Sequence, residues 1–348
     1  MNPIATLLVG YGYAGRTFHA PLIQACRDLH LEGVVSGDPA KVAADLPGAR
    51  VWPDLASALQ GRTQGLVVIA TPNALHARQA RQALEAGMHV VVDKPFTVTV
   101  AEGQALIECA RAAGRELAVF HNRRWDGDFL TLRKLLQDGR LGRVVALESR
   151  FDRFRPVRRE RWREQAVAGG GLWFDLGPHL VDQALQLFGM PQRVHGQLAM
   201  LRDGAEVDDW TQVTLDYPRC KLTLSASMVV GGGLPRFAVH GTEASWIKHG
   251  LDLQESRLLA GMRPGADGFG DDPQAGLLYA GGSTPVGVPP LPGGYEAFYR
   301  ELAQAIQGEG RNPVPATEAL DVMRVIAAAA HSASCGDWVD PAARPAAA

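Results

Sequence analysis

Lys94, Asp175 and His179 are the side chains of this 348-residue chain whose types and settings suit acid–base work on a hydroxyl carbon. Removing a hydride from a secondary alcohol also releases the hydroxyl proton. Such a site wants a base that titrates near neutrality and a cation for the developing alkoxide. His179 is the expected base, imidazole titrating at roughly 6.5 before perturbation. Asp175 lies four residues earlier, which puts both side chains on one face of a helix. It is expected either to hold a neighbouring substrate hydroxyl or to orient the histidine. Lys94, within Asp93-Lys94-Pro95, is the expected cation. The expectation is therefore that folding brings an ammonium from the first half and an imidazole from the second to one reactive carbon.

A hydride needs an acceptor, and Leu7 to Leu22 (LLVGYGYAGRTFHAPL) reads as the place that holds one. The apolar run Leu7-Leu8-Val9 meets Gly10, Gly12 and Gly15 in G-x-G-x-x-G spacing just before a helical pattern begins. In that context Gly10 permits the tight turn, Gly12 removes a side chain where a pyrophosphate approaches, and Gly15 lets the helix lie on the sheet. The helix's first N–H groups then face the phosphates.

Strands are expected at Leu31 to Val35, near Arg50 to Trp52, and at Gly65 to Ala70, His89 to Val92 and Leu117 to Phe120. Helices are expected at Arg16 to Arg27, Asp54 to Gln60, Leu75 to Ala86 and Ala101 to Ala113. This alternation predicts a parallel, doubly wound α/β sheet of the Rossmann type. Ligands of such sheets sit beyond the carboxyl ends of the strands. Thr71-Pro72-Asn73, Asp93-Lys94-Pro95 and His121-Asn122-Arg123 all fall there. The second strand ends at Ser36 with no acid, and Lys41 is close by. A carboxylate there would repel a 2′-phosphate, whereas the serine hydroxyl and the Gly37 N–H can donate hydrogen bonds to one, so NADP is expected, with NAD the alternative if Asp38 takes that place. The expected cofactor set is Gly10, Gly12, Tyr13, Ala14, Gly15, Ser36, Lys41, Thr71, Pro72, Asn73, His76, Lys94 and Pro95.

Beyond Arg124 the pattern changes. A helix at about Phe129 to Leu136 precedes an alternating strand, Val144 to Phe154, and an arginine-dense segment, Arg150 to Arg163. Gly169-Gly170-Gly171 leads into the helix that carries Asp175 and His179 to about Phe188. Arg193 to Leu201, Trp210 to Tyr217, Lys221 to Val230, Pro235 to His240 and Ser245 to Lys248 read as mainly antiparallel strands with one buried face. Met262 to Gly294, rich in Gly and Pro, reads as an irregular excursion. Helices at Tyr295 to Gln307 and Thr317 to Ser334 close the chain. The expected division is a dinucleotide-binding domain over 1–121, a substrate-binding and oligomerisation domain over 122–340, and a frayed tail over 341–348. Asn122, Arg123, Trp125, Phe154, Trp162, Trp173 and Asp175 are the expected substrate contacts, the aromatics walling a polyol pocket. For the arginines, a solvated or subunit-facing segment is the simpler reading and recognition of a carboxylate or phosphate the sharper one. His19 is expected to pack or cap locally, and His121 to be structural.

Composition narrows the classes. With 35 Lys+Arg against 37 Asp+Glu, no nucleic-acid-binding face is suggested. Cys26, Cys109, Cys220 and Cys335 form no C-x-x-C pair, which argues against a zinc site or disulfide framework and fits a reducing compartment. No signal peptide and no membrane-spanning run is seen. A cytoplasmic protein without a metal site is expected.

The glycine turn, the Lys-Pro after the fifth strand and Asp175-x-Gly177-x-His179 together resemble the Gfo/Idh/MocA oxidoreductases over nearly the whole chain. A closer likeness, to the NADP-dependent scyllo-inositol dehydrogenases of that family, is carried by four strings and the run Leu187 to Pro191. The strings are His121 to Asp126, Asp128 to Thr131, Arg153 to Pro156 and Arg161 to Glu164. The resemblance implies a Rossmann domain followed by an open-faced α/β domain, the catalytic roles given above for Lys94, Asp175 and His179, and a homodimer or homotetramer built through the open sheet. It implies hydride transfer between NADP and a cyclic polyol or sugar, inositol isomers first. A glycosidase assisted by NAD and a non-catalytic dinucleotide sensor are the alternatives. Two positions depart from the pattern: Asp93 stands where the family carries Glu, and Ser36-Gly37 where close relatives carry Ser-Arg.

Overall fold

The computed structural model describes residues 2–343. The chain divides into two compact units. The first comprises Met1–Trp125, Leu253–Gly270 and Gly294–Leu320, and the second Asp126–Asp252, Asp271–Gly293 and Asp321–Ala348. Beyond Ala343 the expected tail lies outside the described residues.

The first unit is built on a six-stranded parallel sheet in the order β3-β2-β1-β4-β5-β6. Its strands are β1 (Ile4–Val9), β2 (Leu29–Val35), β3 (Arg50–Trp52), β4 (Leu66–Ile69), β5 (His89–Asp93) and β6 (Leu117–Phe120). This is the doubly wound dinucleotide-binding order. The β4 and β6 strands are buried along their whole length, as strands covered on both faces are. Helices α2 (Pro39–Asp45), α3 (Leu55–Leu59), α4 (Asn73–Glu85) and α5 (Val100–Ala113) make the crossovers. Asp38 caps α2, Asp54 caps α3, and Thr99 with Glu102 forms a capping box on α5.

The expected single helix from Arg16 to Arg27 is instead a π-helical turn, Gly15–His19, followed by α1 (Ala20–Ala25). Pro21 has no N–H to give to the preceding turn, so the regular ladder cannot run through it. The short helix α8 (Gln254–Leu259), unforeseen in the sequence, and α9 (Glu296–Ile306) return to this unit.

The second unit carries an eight-stranded sheet in the order β14-β13-β12-β11-β7-β10-β9-β8. The strands are β7 (Val144–Asp152), β8 (Arg193–Ala199), β9 (Trp210–Tyr217), β10 (Cys220–Ser227), β11 (Phe237–Gly241), β12 (Ala244–Lys248), β13 (Gly276–Ala280) and β14 (Val286–Val288). All neighbours are antiparallel except β7 and β10. On β10, Leu222, Leu224 and Ala226 are buried on the face against which α7 (Leu172–Phe188) packs. The second unit also contains α6 (Gly127–Gln137), while α10 (Ala316–Cys335) closes the chain. The expected excursion over Met262 to Gly294 therefore holds two strands at one margin of the sheet, β13 and, at the edge itself, β14. Their glycines and half-exposed Leu277 and Tyr279 hide the alternation that marks β10.

Candidate active site

In the first unit the candidate residues gather at the carboxyl ends of β1, β2, β4, β5 and β6. Gly10 has φ +94°, and a Cβ there would lie 2.7 Å from the Ala70 carbonyl oxygen. A Cβ on Gly15 would lie 2.2 Å from the Gly10 carbonyl oxygen, so the helix touches the turn only because residue 15 is a glycine. Gly12 differs: a Cβ there meets nothing within 4 Å. Nothing within the chain requires a glycine at that point, but a pyrophosphate lying on the turn does. No side chain caps the helical turn that begins at Gly15. Open space at Gly12 and an uncapped helix start together fit a dinucleotide.

Ser36 directly follows β2, its N–H bonding the Trp52 carbonyl at 3.0 Å. Its hydroxyl accepts the Asp38 N–H at 3.1 Å, and Asp38 Oδ1 accepts the Lys41 N–H at 3.0 Å. The Asp38 carboxylate is thus committed to closing α2. Lys41 is exposed on that helix.

Thr71 Oγ1 donates to Gln79 at 2.6 Å, and Asn73 is buried at the start of α4. His76 is fully buried, its Nε2 2.9 Å from the Thr71 carbonyl and its Nδ1 2.9 Å from that of Pro95. It ties the loop after β4 to the loop after β5. Burial pushes its imidazole down, against the opposing pull of Asp93 and the two carbonyls. The Lys94–Pro95 peptide is cis. Lys94 is half-buried and gives its backbone N–H to Asp93 Oδ1 at 2.9 Å.

After β6, Asn122 and Arg123 are buried. Arg123 Nη2 donates to Glu255 Oε2 at 2.9 Å and Nη1 reaches the Tyr295 hydroxyl at 3.4 Å. Tyr13, half-exposed on the glycine turn, gives its hydroxyl proton to the other oxygen of Glu255 at 2.7 Å. Glu255 therefore clamps the first loop of the sheet to the last. The sequence offered no sign of it, because the partners lie 242 and 132 residues away. Trp125 packs edge-on against Phe298.

In the second unit, Asp175 and His179 share α7 as their spacing requires. His179 is 5 % exposed, its ring 6.1 Å from that of Phe151. Arg163 Nε lies 3.4 Å from Asp175 Oδ1, and its guanidinium also covers the Trp162 ring. Asp175 thus carries a counter-ion from the arginine-dense segment. Trp173 is 0 % exposed and donates to the Ile326 carbonyl at 3.1 Å, which makes it part of the core. Gly177 leaves room for its ring, since a Cβ there would lie 2.6 Å from the indole. Phe154 is 64 % exposed.

The arginine segment is partly neutralised within the chain. Arg158 pairs with Glu206, and Arg161 with Glu164, which also takes Arg202 at 3.0 Å. Asp208, absent from the sequence-based set, holds the start of α7. Its Oδ2 accepts the Trp173 N–H at 2.6 Å and its carbonyl accepts the Leu172 N–H at 2.9 Å. Burial pushes its carboxyl up to about 6, outweighing those N–H donors. A second omission is Arg236, fully buried between the rings of Phe151 and Phe237. It donates to Gln183, one helical turn beyond His179, at 2.5 Å, and to Ser149 at 2.5 Å. Among the described residues no group of three or more His, Cys, Asp or Glu is placed to hold a metal. No helix among them is long and apolar enough to cross a membrane.

Residues 4–121 match the family described as "Oxidoreductase family, NAD-binding Rossmann fold", and residues 133–340 match its C-terminal alpha/beta domain. The uncharacterized oxidoreductase YdgJ of Escherichia coli is 46 % identical over 94 % of this chain and 95 % of its own. The scyllo-inositol 2-dehydrogenase (NADP(+)) IolW of Bacillus subtilis is 36 % identical, over 95 % and 94 %. A crystal structure from Klebsiella pneumoniae superposes with a TM-score of 0.93 at 47 % identity, covering 99 % of this chain and 97 % of that one.

Proposed function

The chain belongs to the Gfo/Idh/MocA oxidoreductase family, and we propose that it is a dehydrogenase moving a hydride between NADP and a secondary alcohol of a cyclic polyol or sugar, scyllo-inositol first. The observation that carries this reading is the open cradle at Gly12, at the end of the same parallel sheet whose β5 presents Lys94. The likeness to IolW supports the substrate class.

Bound at the glycine turn, the nicotinamide nucleotide supplies the hydride acceptor. Gly10, Gly12, Tyr13, Ala14 and Gly15 would hold its pyrophosphate, with Thr71, Pro72, Asn73 and Pro95 lining the way to Lys94. Ser36 and Lys41 would take a 2′-phosphate, since Asp38 is occupied at the start of α2. The Lys94 ammonium donates to the reacting oxygen and favours its ionised form. His179 Nε2 takes the hydroxyl proton. Asp175, already paired with Arg163, is suited to accepting a neighbouring hydroxyl rather than to acting as the base. Asn122, Trp125, Phe154 and Trp162 are the remaining candidates for the sugar. The half-exposed Leu277 and Tyr279 on the second sheet suit self-association as a homodimer or homotetramer, which light scattering in solution checks.

The test is the absorbance of reduced nicotinamide on mixing the protein with NADP or NAD and a panel of inositols and aldoses. Reduction with NADP and an inositol is expected. Silence across the panel with NADP binding intact overturns the reading.

A further inference from the structure

Beneath Lys94 lies a buried group of side chains that the reaction as drawn does not use. His19 ends the π-helical turn after Gly15 and is 0 % exposed. Its Nδ1 is 2.6 Å from the Tyr299 hydroxyl on α9, and its Nε2 is 3.8 Å from Asp93 Oδ1. The same Asp93 oxygen accepts the Lys94 backbone N–H. The Phe120 ring lies 4.4 Å from the His19 ring and 5.9 Å from that of Tyr299, so water is kept from the group.

Packing alone does not explain this arrangement. A side chain needed only to fill space against Phe120 has no reason to aim one nitrogen at a hydroxyl and the other at a carboxylate. Nε2 is buried without a hydrogen-bond partner and faces the Asp93 carboxylate at ion-pair distance. The imidazole faces Tyr299 from α9 and Asp93 from β5, and Asp93 is faced in turn by Lys94, just after β5, and by His76 from α4. Cys26, just past α1, acts on Tyr299. Burial pushes the Asp93 carboxyl up, yet His19 above all, then Lys94 and His76, hold it below its usual range.

We infer that His19 is a positioning residue of the Lys94 site: with its ring set by Tyr299, it holds the Asp93 carboxylate in place, and Asp93 in turn fixes Lys94. The inference rests on the reading of Lys94 as the residue that acts on the reacting oxygen.

The test uses His19→Gln, Tyr299→Phe, Asp93→Asn and the double variant Asp93→Asn/His19→Gln in the full chain. The lysines are Lys41, Lys94, Lys134, Lys221 and Lys248, so trace acylation of each can be followed by peptide mass in protein without cofactor or substrate. With His19→Gln, Lys94 is expected to acylate about threefold faster or more relative to Lys134, the size of a weak coupling between contacting residues. The cause is a carboxylate that no longer stays put as an anion beside it. Tyr299→Phe, which removes one hydroxyl and keeps the ring, moves Lys94 the same way by less. In the Asp93→Asn background His19→Gln changes nothing further. In turnover with NADP and scyllo-inositol, His19→Gln lowers kcat about tenfold with KM for NADP unchanged, and shifts the acid limb of the pH profile upward.

An unchanged Lys94 acylation ratio in both His19→Gln and Tyr299→Phe overturns the inference. So does a His19→Gln effect that persists in Asp93→Asn. If Lys94→Ala keeps full turnover while the acylation coupling holds, the reading of Lys94 as catalytic has failed and the His19–Asp93–Lys94 linkage has not.

Discussion

The carboxylate of Asp208 accepts the backbone N–H of Trp173 at 2.6 Å, so the first turn of α7 is closed by a residue 35 positions downstream. Asp175 and His179 ride on that helix, and their placement depends on a loop between β8 and β9. An acid here gains from the helix dipole and loses from burial. Burial wins, because the carboxyl is pushed up to about 6 from an ordinary 3.8.

The first prediction concerns pH. A carboxyl raised on folding binds its proton more tightly in the folded state, so its contribution to stability falls as pH rises from about 4 to about 6 and is flat above that. Near neutrality the ionised group costs roughly 2–3 kcal/mol. Asp208→Asn keeps an acceptor for Trp173 and cannot ionise. Thermal melts should show the variant gaining on the parent between pH 4 and pH 6, with a constant difference above. A difference independent of pH would mean that Asp208 ionises in the folded protein as easily as in the unfolded one.

Gly171 tests the same joint from the other side. Its φ is +96°, and a Cβ would sit 2.1 Å from Asp208 Oδ1. Gly171→Ala is expected to cost roughly 1–3 kcal/mol for the backbone alone, and more for the collision. In an Asp208→Ala background the collision part disappears, leaving the backbone part. Equal losses in both backgrounds, read by denaturant titration, would contradict the close approach.

Lys94→Ala and His179→Ala should each lower turnover by roughly a hundred- to ten-thousandfold, while the dissociation constant for NADP changes little. Stopped-flow hydride transfer with calorimetry of cofactor binding separates the two quantities. Wild-type turnover in either variant removes that residue from the reaction.

Cofactor choice is tested at Ser36. With Asp38 engaged on α2, Ser36→Asp brings the first carboxylate to the end of β2. The ratio of kcat/KM for NADP over NAD should fall about tenfold or more, since like charge against a 2′-phosphate is strongly unfavourable. An unchanged ratio would place the ribose elsewhere.

The parallel sheet could be read in the sequence because β4 and β6 are continuous apolar runs and its helices carry their own punctuation, such as the Thr99–Glu102 box and Gly114 in the left-handed region. Gly10 and Gly15 also occupy the tight places that their spacing implied. What was not legible depends on distant partners. Glu255, Asp208 and Arg236 are ordinary charged residues until folding sets them against Tyr13, Trp173 and Gln183. Trp173 shows the same limit for aromatics, since its type suits a sugar wall or a core equally well and only the Ile326 carbonyl and the gap at Gly177 decide for the core. β13 and β14 went unseen because they are short, glycine-bearing strands at the margin of the sheet, with Leu277, Tyr279 and Val286 exposed, so no clear alternation marks them.

The first unit is assembled from three separate stretches of chain, the last ending at Leu320. Glu255, which answers buried Arg123, and Glu318, which answers buried Arg124 at 2.7 Å, belong to the later two. During synthesis, then, this unit is begun before the second sheet and completed only after β14. A nascent chain halted at residue 252 would have made every strand of that sheet and would still be waiting for the acids that neutralise its two interior arginines.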